Sequence, residues 1–237
     1  MRRTRIKICG VCRAEHALCA AAHGADAIGL VFHKPSPRSV SAESARDILR
    51  VLPPFVTPVA LFVDASAEKI LDTAQILGLR TVQLHGEEPP ELIAALKGLT
   101  VLKAVRVEKS DFANRLAGWR RAIEVHKLSN LAALLLETAN TPVAGGAGIP
   151  NDWQTVKKAQ SAGLFDGLPP LIAAGGLTPG TVAEVVRALR PYAVDVSSGV
   201  EEGRRQKSKV KIEAFVAAVR EADGGEGTEA RRHGGTE

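Results

Sequence analysis

The sequence predicts a single α/β domain with the (βα)8 architecture of a TIM barrel. Eight short segments rich in Val, Ile and Leu recur along the 237 residues, and each precedes a longer segment whose apolar residues have helical spacing. The segment centres lie about 27 residues apart, which one strand, one helix and two short loops would fill. A doubly wound open sheet is the alternative that this alternation leaves open.

The eight apolar segments are predicted to be parallel strands. They are apolar almost throughout, as strands are when both faces of a sheet are covered. In chain order, the predicted strands span residues 5–8, 27–32, 58–63, 81–84, 101–107, 132–137, 171–174 and 193–196.

Helices are predicted between the strands. They span residues 14–22, 42–52, 67–77, 89–96, 112–126, 152–162, 179–189 and 209–221. Ser41 and Ser66 precede the second and third helices as capping residues, and Thr178 precedes Pro179 at the predicted first turn of the seventh. Ligands are expected at the C-terminal ends of the strands, as in other barrels of this class.

Residues 221–237 are predicted to form a short, flexible and disordered tail. This segment holds five Gly, five acidic residues and two Arg without apolar periodicity. The catalytic barrel is therefore predicted over residues 1–220, where 29 basic and 21 acidic residues give a net charge of +8. A positive charge of this size favours an anionic ligand.

The composition argues against nucleic-acid and membrane partners. Aromatic residues make up 4% of the chain, and they are not interleaved with basic residues as in single-stranded nucleic-acid binders. No segment reaches the ~18–20 uninterrupted apolar residues that a membrane span requires.

Three cysteines, Cys9, Cys12 and Cys19, all lie near the start of the chain. An odd number of cysteines at one end cannot form a disulfide framework, so we predict a protein of the reducing cytoplasm. Cys9 and Cys12 form a Cys-x-x-Cys motif, which elsewhere is half of a zinc site or a redox pair. No second such motif follows in the sequence, and we predict neither a metal nor a cofactor.

Polar side chains stand at the ends of several predicted strands. The Cys9 thiol follows the first strand, where it can act as nucleophile, base or ligand. Arg38 lies in a proline-stiffened loop after the second strand and suits the binding of a carboxylate or phosphate, although a plain surface Arg is the alternative. The other candidates at strand ends are Gln83 and His85 on the fourth strand, Glu137 on the sixth and Asp195 on the eighth.

Two glycine-containing loops follow the seventh and eighth strands. Gly175 and Gly176 end the seventh strand, and Ser198 and Gly199 follow the eighth. Their backbone N–H groups have little side-chain cover, and barrels frequently bind a phosphate with these two loops. The sequence therefore predicts a phosphate site there.

Seven short motifs occur in order along the chain. They are Lys-Ile-Cys-Gly at 7–10, Gly-Leu-Val-Phe at 29–32, Pro-Ser-Pro-Arg at 35–38, Phe-Val-Asp at 62–64, Val-Gln-Leu-His-Gly at 82–86, Ala-Gly-Gly-Leu at 174–177 and Val-Asp-Val-Ser-Ser-Gly-Val-Glu at 194–201. Together they resemble the phosphoribosylanthranilate isomerase family of tryptophan biosynthesis over about residues 5–220.

The resemblance implies an Amadori rearrangement that needs no cofactor. The family converts N-(5-phosphoribosyl)anthranilate into 1-(2-carboxyphenylamino)-1-deoxyribulose 5-phosphate. By position, Glu137 would be the acid that protonates the ribose ring oxygen, and Cys9 the base that removes the C2 proton. The acid must stay protonated, which we expect burial against apolar strands to favour, and the thiol needs nearby cations to ionise.

The resemblance also implies how the phosphorylated anthranilate substrate is bound, by a monomer or a homodimer. Arg38 would hold the anthranilate carboxylate and Asp195 the ribose hydroxyls, while Gln83 and His85 would contact the substrate. The phosphate would bind to Gly175, Gly176, Ser198 and Gly199.

Three positions depart from the family pattern. The usual Asp at the end of the sixth strand is Glu137, one methylene longer, and a displacement of about 1 Å can lower a rate 10²-fold. Cys12 stands where Thr is common, and the segment near 204–211 lacks the usual pattern. The family-like Gly-Gly-x-Gly at 145–148 is retained, which supports the register at Glu137.

Two other functions stay open from the sequence. The related barrel isomerase of histidine biosynthesis would use a carboxylate where this chain has Cys9, and it would need a second phosphate site that the sequence does not provide. A catalytically impaired, phosphate-binding barrel is the other alternative. Glu137 is its one supporting feature.

Overall fold

The sheet of this protein is a closed barrel of eight parallel strands. The computed structural model describes residues 3–138 and 151–224. Strands β1 to β8 pair in chain order, and β8 pairs with β1 to close the barrel. The predicted (βα)8 architecture is thus confirmed, and the open sheet is excluded.

The strands agree with the prediction to within one residue at each end. They are β1 (Arg5–Cys9), β2 (Ala27–Val31), β3 (Thr57–Phe62), β4 (Thr81–Leu84), β5 (Thr100–Arg106), β6 (Leu131–Glu137), β7 (Leu171–Ala174) and β8 (Ala193–Val196). The close agreement follows from their continuous apolar runs, since each run ends where the chain leaves the core.

In the described part of the chain, eight α-helices surround the barrel. They are α1 (Ala14–Ala22), α2 (Ala42–Val51), α3 (Ala67–Leu77), α4 (Pro90–Ala95), α5 (Phe112–His126), α6 (Asn151–Ser161), α7 (Val182–Leu189) and α8 (Lys209–Gly224). The predicted caps of α2 and α3 are confirmed, because the Ser41 and Ser66 hydroxyls accept hydrogen bonds from the backbone N–H groups of Ser44 and Lys69. Within the described ranges, no helix is long and apolar enough to cross a membrane.

The predicted start of α7 is wrong. Thr178 and Pro179 belong to a separate turn, closed by a hydrogen bond of 3.1 Å from the Thr181 N–H to the Thr178 carbonyl oxygen. The Thr181 hydroxyl accepts from the Thr178 N–H at 3.0 Å, which holds this turn apart from the helix. The helix begins only at Val182.

Helix α8 extends into the segment predicted as a tail. Ala222 is buried against the core, and the Asp223 carboxylate accepts hydrogen bonds from the backbone N–H and the hydroxyl of Thr4. These contacts tie the end of α8 to the start of β1. Residues 225–237, and the glycines at 145–148, lie outside the described residues.

The connection after β8 has structure that the sequence analysis did not predict. A short 3-10 helix (Ser198–Val200) leads into an antiparallel pair of strands, β9 (Glu201–Gly203) and β10 (Gln206–Lys207). Elements of two or three residues are too short to show a periodicity. This hairpin brings Glu201 and Lys207 back to the C-terminal end of the barrel.

The core has two layers, one between barrel and helices and one inside the barrel. The interior layer includes Val59, Leu135 and Ile172, and the buried polar side chains of Lys7 and Asp195 also occur among the inward-facing residues. Barrels of this class normally fill the interior with branched apolar side chains. The buried polar groups therefore mark the end of the barrel where chemistry is expected.

Candidate active site

A cavity of about 740 Å³ opens at the C-terminal ends of the strands, and we call it the C-terminal cavity. It brings together nine of the ten predicted site residues, all except Gln83. They are Cys9, Arg38, His85, Glu137, Gly175, Gly176, Asp195, Ser198 and Gly199. This convergence follows from barrel closure, which places the ends of all eight strands around one opening.

The Cys9 thiol is buried at the wall of this cavity, with 6% of the residue exposed. It lies opposite Gly29 of β2, where a Cβ would be only 2.7 Å from the Cys9 sulfur and 3.2 Å from Lys7 Nζ. The absent side chain of Gly29 therefore leaves the space that both groups occupy. Burial raises the pKa of the Cys9 thiol, and the positive charge of Lys7 opposes this rise without cancelling it.

Lys7 forms a buried ion pair that the sequence analysis missed. Its Nζ donates to Asp195 Oδ1 at 2.8 Å, and the two residues are 3% and 7% exposed. The alternation of β1 gives the missing signal, because Lys7 lies two residues before Cys9 and so faces the same side. Asp195 lines the cavity as predicted, but one of its oxygens is already bonded to Lys7.

Arg38 lines the C-terminal cavity, and two of its three guanidinium nitrogens are already hydrogen-bonded within the protein. Its Nε and Nη2 donate to the two carboxylate oxygens of Glu201 at 2.8 and 2.6 Å. Lys207 Nζ donates to the same carboxylate at 2.9 Å. The hydrogen bond to Glu201 also raises the pKa of Arg38, which keeps the guanidinium charged. A ligand carboxylate would thus meet the outer edge of Arg38, which is fixed in place by Glu201.

Gln83, His85 and Glu137 form a hydrogen-bonded chain across the barrel. Gln83 is fully buried, does not line the cavity, and has its amide nitrogen 2.8 Å from His85 Nδ1. With this amide orientation His85 Nδ1 is an acceptor, so Nε2 carries the hydrogen that it donates to Glu137 Oε1 at 3.3 Å. Gln83 therefore acts on a ligand only through His85, in contrast to its predicted direct contact.

The environment of Glu137 differs from the prediction. We expected burial to keep this carboxyl protonated, but its side chain is 35% exposed. The hydrogen bond from His85 lowers the pKa of Glu137, burial works in the opposite direction, and the net pKa lies below its usual range. In the free protein Glu137 is thus a carboxylate near neutral pH.

The two glycine loops lie close against neighbouring backbone. Gly175 has φ +88°, and a Cβ there would be 2.3 Å from the Thr138 carbonyl oxygen. A Cβ on Gly199 would be 1.9 Å from the carbonyl oxygen of Leu177. A side chain is therefore excluded at Gly199, where the loops after β7 and β8 meet, and at Gly175, where the loop after β7 meets Thr138 after β6.

The Cys-x-x-Cys motif does not form a pair of thiols on one surface. Cys9 belongs to a small cluster at the wall of the cavity, whereas Cys12 packs in the outer core between barrel and helices. The Cys12 thiol lies 3.5 and 3.4 Å from the carbonyl oxygens of Gly10 and Arg38, respectively. Cys12 therefore supports the loops that carry Cys9 and Arg38.

Several further polar residues line the cavity without having been predicted, among them Arg106 and His33. Arg106 ends β5 directly beside Glu137 of β6, and its positive charge contributes to the lowered pKa of Glu137. His33 follows β2 at the edge of the cavity. Both stand at strand ends, which is the signal that could have identified them.

Known proteins resemble this chain over nearly all of its length. A family described as N-(5'phosphoribosyl)anthranilate (PRA) isomerase matches residues 6–218. The N-(5'-phosphoribosyl)anthranilate isomerase of Pseudomonas paraeruginosa (strain DSM 24068 / PA7) is 45% identical over 217 residues, which cover 91% of this chain and 95% of the relative.

Two solved structures are similar in fold and sequence. A phosphoribosyl anthranilate isomerase in complex with reduced 1-(o-carboxyphenylamino)-1-deoxyribulose 5-phosphate has a TM-score of 0.77 and 37% identity, covering 92% of this chain and 98% of that one. A structure of monomers generated from the dimeric phosphoribosylanthranilate isomerase of Thermotoga maritima has a TM-score of 0.76 and 35% identity, with the same coverage of 92% and 98%.

Proposed function

The chain belongs to the N-(5'-phosphoribosyl)anthranilate isomerase family, and from that premise we propose that Glu137 and Cys9 are the acid and the base of its reaction. The protein is an isomerase of tryptophan biosynthesis. It converts N-(5'-phosphoribosyl)anthranilate into 1-(2-carboxyphenylamino)-1-deoxyribulose 5-phosphate. The observation that supports the two roles is the presence of this thiol and this carboxyl in the wall of one cavity.

In the first step, Glu137 gives a proton to the ribose ring oxygen. The bond between that oxygen and C1 breaks, and the nitrogen lone pair forms the iminium. Glu137 is ionised in the free protein, so it must take up a proton when the substrate enters. The phosphate and carboxylate of the substrate add negative charge and displace water, and both changes raise the pKa of a nearby carboxyl.

In the second step, the Cys9 thiolate removes the proton from C2, which the iminium has made acidic. The electron pair of the C–H bond forms the C1–C2 double bond of an enolamine, and the iminium nitrogen becomes neutral. The enolamine then gains a proton at C1 and loses its hydroxyl proton at C2, which gives the ketone. No atom is gained or lost overall, as an isomerisation requires.

The binding groups orient the substrate over these two residues. Arg38 holds the anthranilate carboxylate through its outer edge, because its inner edge is bonded to Glu201. Asp195 accepts from a ribose hydroxyl with the oxygen that Lys7 leaves free. The phosphate binds to the backbone N–H groups of Gly175, Gly176, Ser198 and Gly199. His85 keeps the Glu137 carboxyl aimed into the cavity.

The family assignment decides between the functions that the sequence left open. The cavity has a thiol at the end of β1, where the isomerase of histidine biosynthesis would need a carboxylate. The alternative of a catalytically impaired barrel had Glu137 as its one supporting feature. This carboxyl lines the cavity together with its neighbour His85. Glu137 therefore occupies a position from which it can transfer a proton.

The assay follows loss of the substrate's natural fluorescence with wild type, Cys9→Ser and Glu137→Gln. Since general acid–base groups contribute about 10²–10⁴-fold, we expect each substitution to lower kcat at least about 100-fold. Cys19→Ser, which changes a thiol on α1 outside the cavity, serves as the control and should retain full activity. Glu137→Asp should keep substantial activity, since it retains a carboxyl.

Full activity in Cys9→Ser would disprove the role of the thiol as base. Full activity in Glu137→Gln would disprove the role of Glu137 as acid and direct attention to Asp195. Neither result would remove the isomerase activity itself, which the wild-type assay measures.

We also propose that the protein is a homodimer joined at the N-terminal end of its barrel. Phe55, in the loop between α2 and β3, is 95% exposed at this end. A second cavity, of about 490 Å³, lies at the same end. Its lining includes Arg3, Thr4, Pro170, Leu171 and Tyr192. A two-fold axis would place Phe55 of each copy in the cavity of the other, burying a side chain worth about 1.5–3 kcal/mol per copy.

Analytical ultracentrifugation tests the dimer. Wild type should sediment as a dimer and Phe55→Glu as a monomer, whereas Val125→Glu, at an exposed apolar position on α5, should remain dimeric. A monomeric wild type at micromolar concentration would contradict the proposal.

We propose that the enzyme works in the cytoplasm. Cys9, Cys12 and Cys19 are all free thiols, and the base requires Cys9 to remain reduced. Expression of a tagged copy followed by cell fractionation checks this; recovery in a secreted or membrane fraction would contradict it.

A further inference from the structure

We propose that Lys7 is the counter-ion of the Cys9 thiolate, and that Asp195 holds the Lys7 ammonium beside the sulfur. The inference rests on the proposed role of Cys9 as the base, and it makes Lys7 a positioning residue. Lys7 itself transfers no proton and does not need to touch the substrate.

The position of Lys7 is closely restricted. Lys7 and Cys9 are inward-facing residues of the same strand, and the Lys7 ammonium donates to Asp195 Oδ1 at 2.8 Å. Both atoms, Nζ and Sγ, lie within contact distance of the position that a Cβ on Gly29 would occupy. Lys7 is 3% exposed and Cys9 6%, so the ammonium and the sulfur lie together in the wall of the cavity with little access to water.

The charges around the sulfur favour a thiolate. The groups that act on Cys9 are Lys7 from β1, Asp195 from β8, Lys207 from β10 and Arg38 from the loop after β2. Together with Glu201, which binds Arg38 and Lys207, they make three cations and two carboxylates. This buried cluster has one positive charge too many, and ionisation of Cys9 makes it neutral.

Lys7 is better placed than Lys207 for this role. Lys207 Nζ donates to the Ser197 carbonyl oxygen and to Glu201, both at 2.9 Å, so its hydrogen bonds serve the hairpin after β8. Lys7 has a single carboxylate partner, and its remaining hydrogens are available to the sulfur.

The arrangement explains how a buried thiol can serve as a base. Burial alone would keep Cys9 protonated, and the adjacent ammonium offsets part of this cost. Burial also lowers the pKa of Lys7, but the charges of Asp195 and Cys9 raise it to a net value above its usual range. The ammonium thus keeps its proton while Cys9 gains and releases one in each turnover.

The test measures the ionisation of Cys9 without substrate. The rate of Cys9 alkylation by iodoacetamide is followed against pH, with peptide mass spectrometry to identify the modified residue. Lys7→Met should raise the apparent pKa of the thiol by at least about one unit, a tenfold or greater loss of alkylation rate near neutral pH. Asp195→Asn should do the opposite and speed alkylation, because it removes the negative charge and leaves Lys7 directed at the sulfur alone.

Lys103→Met is the matched control, since Lys103 is an equally buried lysine, on the outward face of β5, and is paired with a different carboxylate. It should leave the Cys9 titration unchanged. In the isomerase assay, Lys7→Met should lower kcat with little change in KM. The rise of kcat with pH, which follows the ionisation of Cys9, should shift to higher pH.

An unchanged Cys9 titration in folded Lys7→Met would overturn the proposal, and so would slower alkylation in Asp195→Asn. If Lys7→Met does not fold, as judged by circular dichroism, the Asp195→Asn result decides. Neither outcome touches the proposed role of Cys9 as the base, which fails only if Cys9→Ser remains fully active.

Discussion

Two buried lysine–carboxylate pairs of this protein have the same ion-pair distance but lie on opposite faces of the barrel wall, in different surroundings. Lys7 pairs with Asp195, and Lys103 pairs with Glu88, each with Nζ 2.8 Å from a carboxylate oxygen. Both lysines are 3% exposed. By distance and burial alone, the two pairs could not be told apart.

The two ion pairs differ in the partners of their remaining hydrogen-bonding atoms. Lys103 also donates to the Gly86 carbonyl oxygen at 2.6 Å, and Glu88 accepts from the backbone N–H groups of Asp64 and Gly86 at 3.0 Å. This pair ties the loops after β3 and β4 together directly beside His85. Lys7 instead lies beside the Cys9 thiol, and Asp195 lines the open cavity. A buried ion pair whose other hydrogen-bonding atoms are bonded to the backbone has a structural role. An ion pair that keeps unused hydrogen-bonding atoms beside a cavity is available for function.

The largest difference should appear in stability. Lys103→Met leaves the Glu88 carboxylate buried without its counter-ion, which should lower the free energy of unfolding by about 3–5 kcal/mol. Lys7→Met should cost less, because Asp195 borders the cavity, where water can reach it. Urea denaturation of both variants measures the difference. Equal losses would mean that the surroundings do not distinguish the pairs, and Lys103→Met/Glu88→Met should recover most of the loss.

The next largest effect concerns the space beside Lys7. Gly29→Ala would push a methyl group against Cys9 Sγ and Lys7 Nζ, and displacements of about 1 Å should lower kcat about 100-fold. Gly118→Ala in α5 is the control, since a Cβ there meets nothing within 4 Å. Steady-state kinetics of both variants check this. Wild-type kcat in Gly29→Ala would show that the packing around the thiol is unimportant.

A third ion pair, between Arg38 and Glu201 at the mouth of the cavity, should affect substrate binding rather than stability or kcat. Glu201→Gln keeps the shape of the side chain but removes the charge that holds Arg38 and Lys207. We expect KM to rise about tenfold with little change in kcat, which corresponds to about 1.4 kcal/mol of binding energy. A fall in kcat with unchanged KM would place Glu201 in the chemical step instead.

The smallest effect is a difference in pH dependence. Burial tends to raise the pKa of Glu88, but its hydrogen bond and charge interaction with Lys103, helped by backbone N–H groups, bring the pKa below its usual range. A carboxyl with a lowered pKa in the folded state stabilises above its unfolded pKa, and this stabilisation is lost as the pH falls through the folded value. Lys7 has a raised pKa, so its contribution is present below the unfolded pKa and is lost as the pH rises through the folded value.

Thermal unfolding from about pH 7 down to pH 3 tests the acid side of this contrast. Wild type should lose Tm over this range, and Glu88→Gln should lose less, with the two curves converging at the acid end. Parallel curves would contradict the pKa of Glu88 as the cause. The stabilisation that Lys7 contributes should be lost only in strongly alkaline solution.

The strands and most helices could be predicted because their signals are local. Each strand is apolar over most of its length, and Ser41 and Ser66 cap their helices as the sequence indicates. The start of α7 was misplaced because Thr178 with Pro179 looks like a helix start, and only the side-chain hydrogen bond to Thr181 shows a separate turn. The hairpin after β8 was missed because its strands are too short to have a period.

The residues of the site could be predicted from the sequence, but the contacts between them could not. Nine of ten candidates line one cavity, since strand ends converge in any closed barrel. Gln83 is buried behind His85, and Lys7 and Glu201 were not recognised as partners of Asp195 and Arg38. These pairs join residues 188 and 163 positions apart in the chain. No local pattern reports a contact over such a separation.

The sequence by itself determined the order of strands and helices and the residues that end at the mouth of the barrel. These depend on the two-residue and 3.6-residue periods, which each segment carries within itself. Only the tertiary structure decided that Glu137 is ionised by its contact with His85, that Arg38 is already held by Glu201, and that Lys7 lies beside Cys9. Charge and hydrogen bonding act through space, so the state of an ionisable group depends on neighbours that barrel closure brings together.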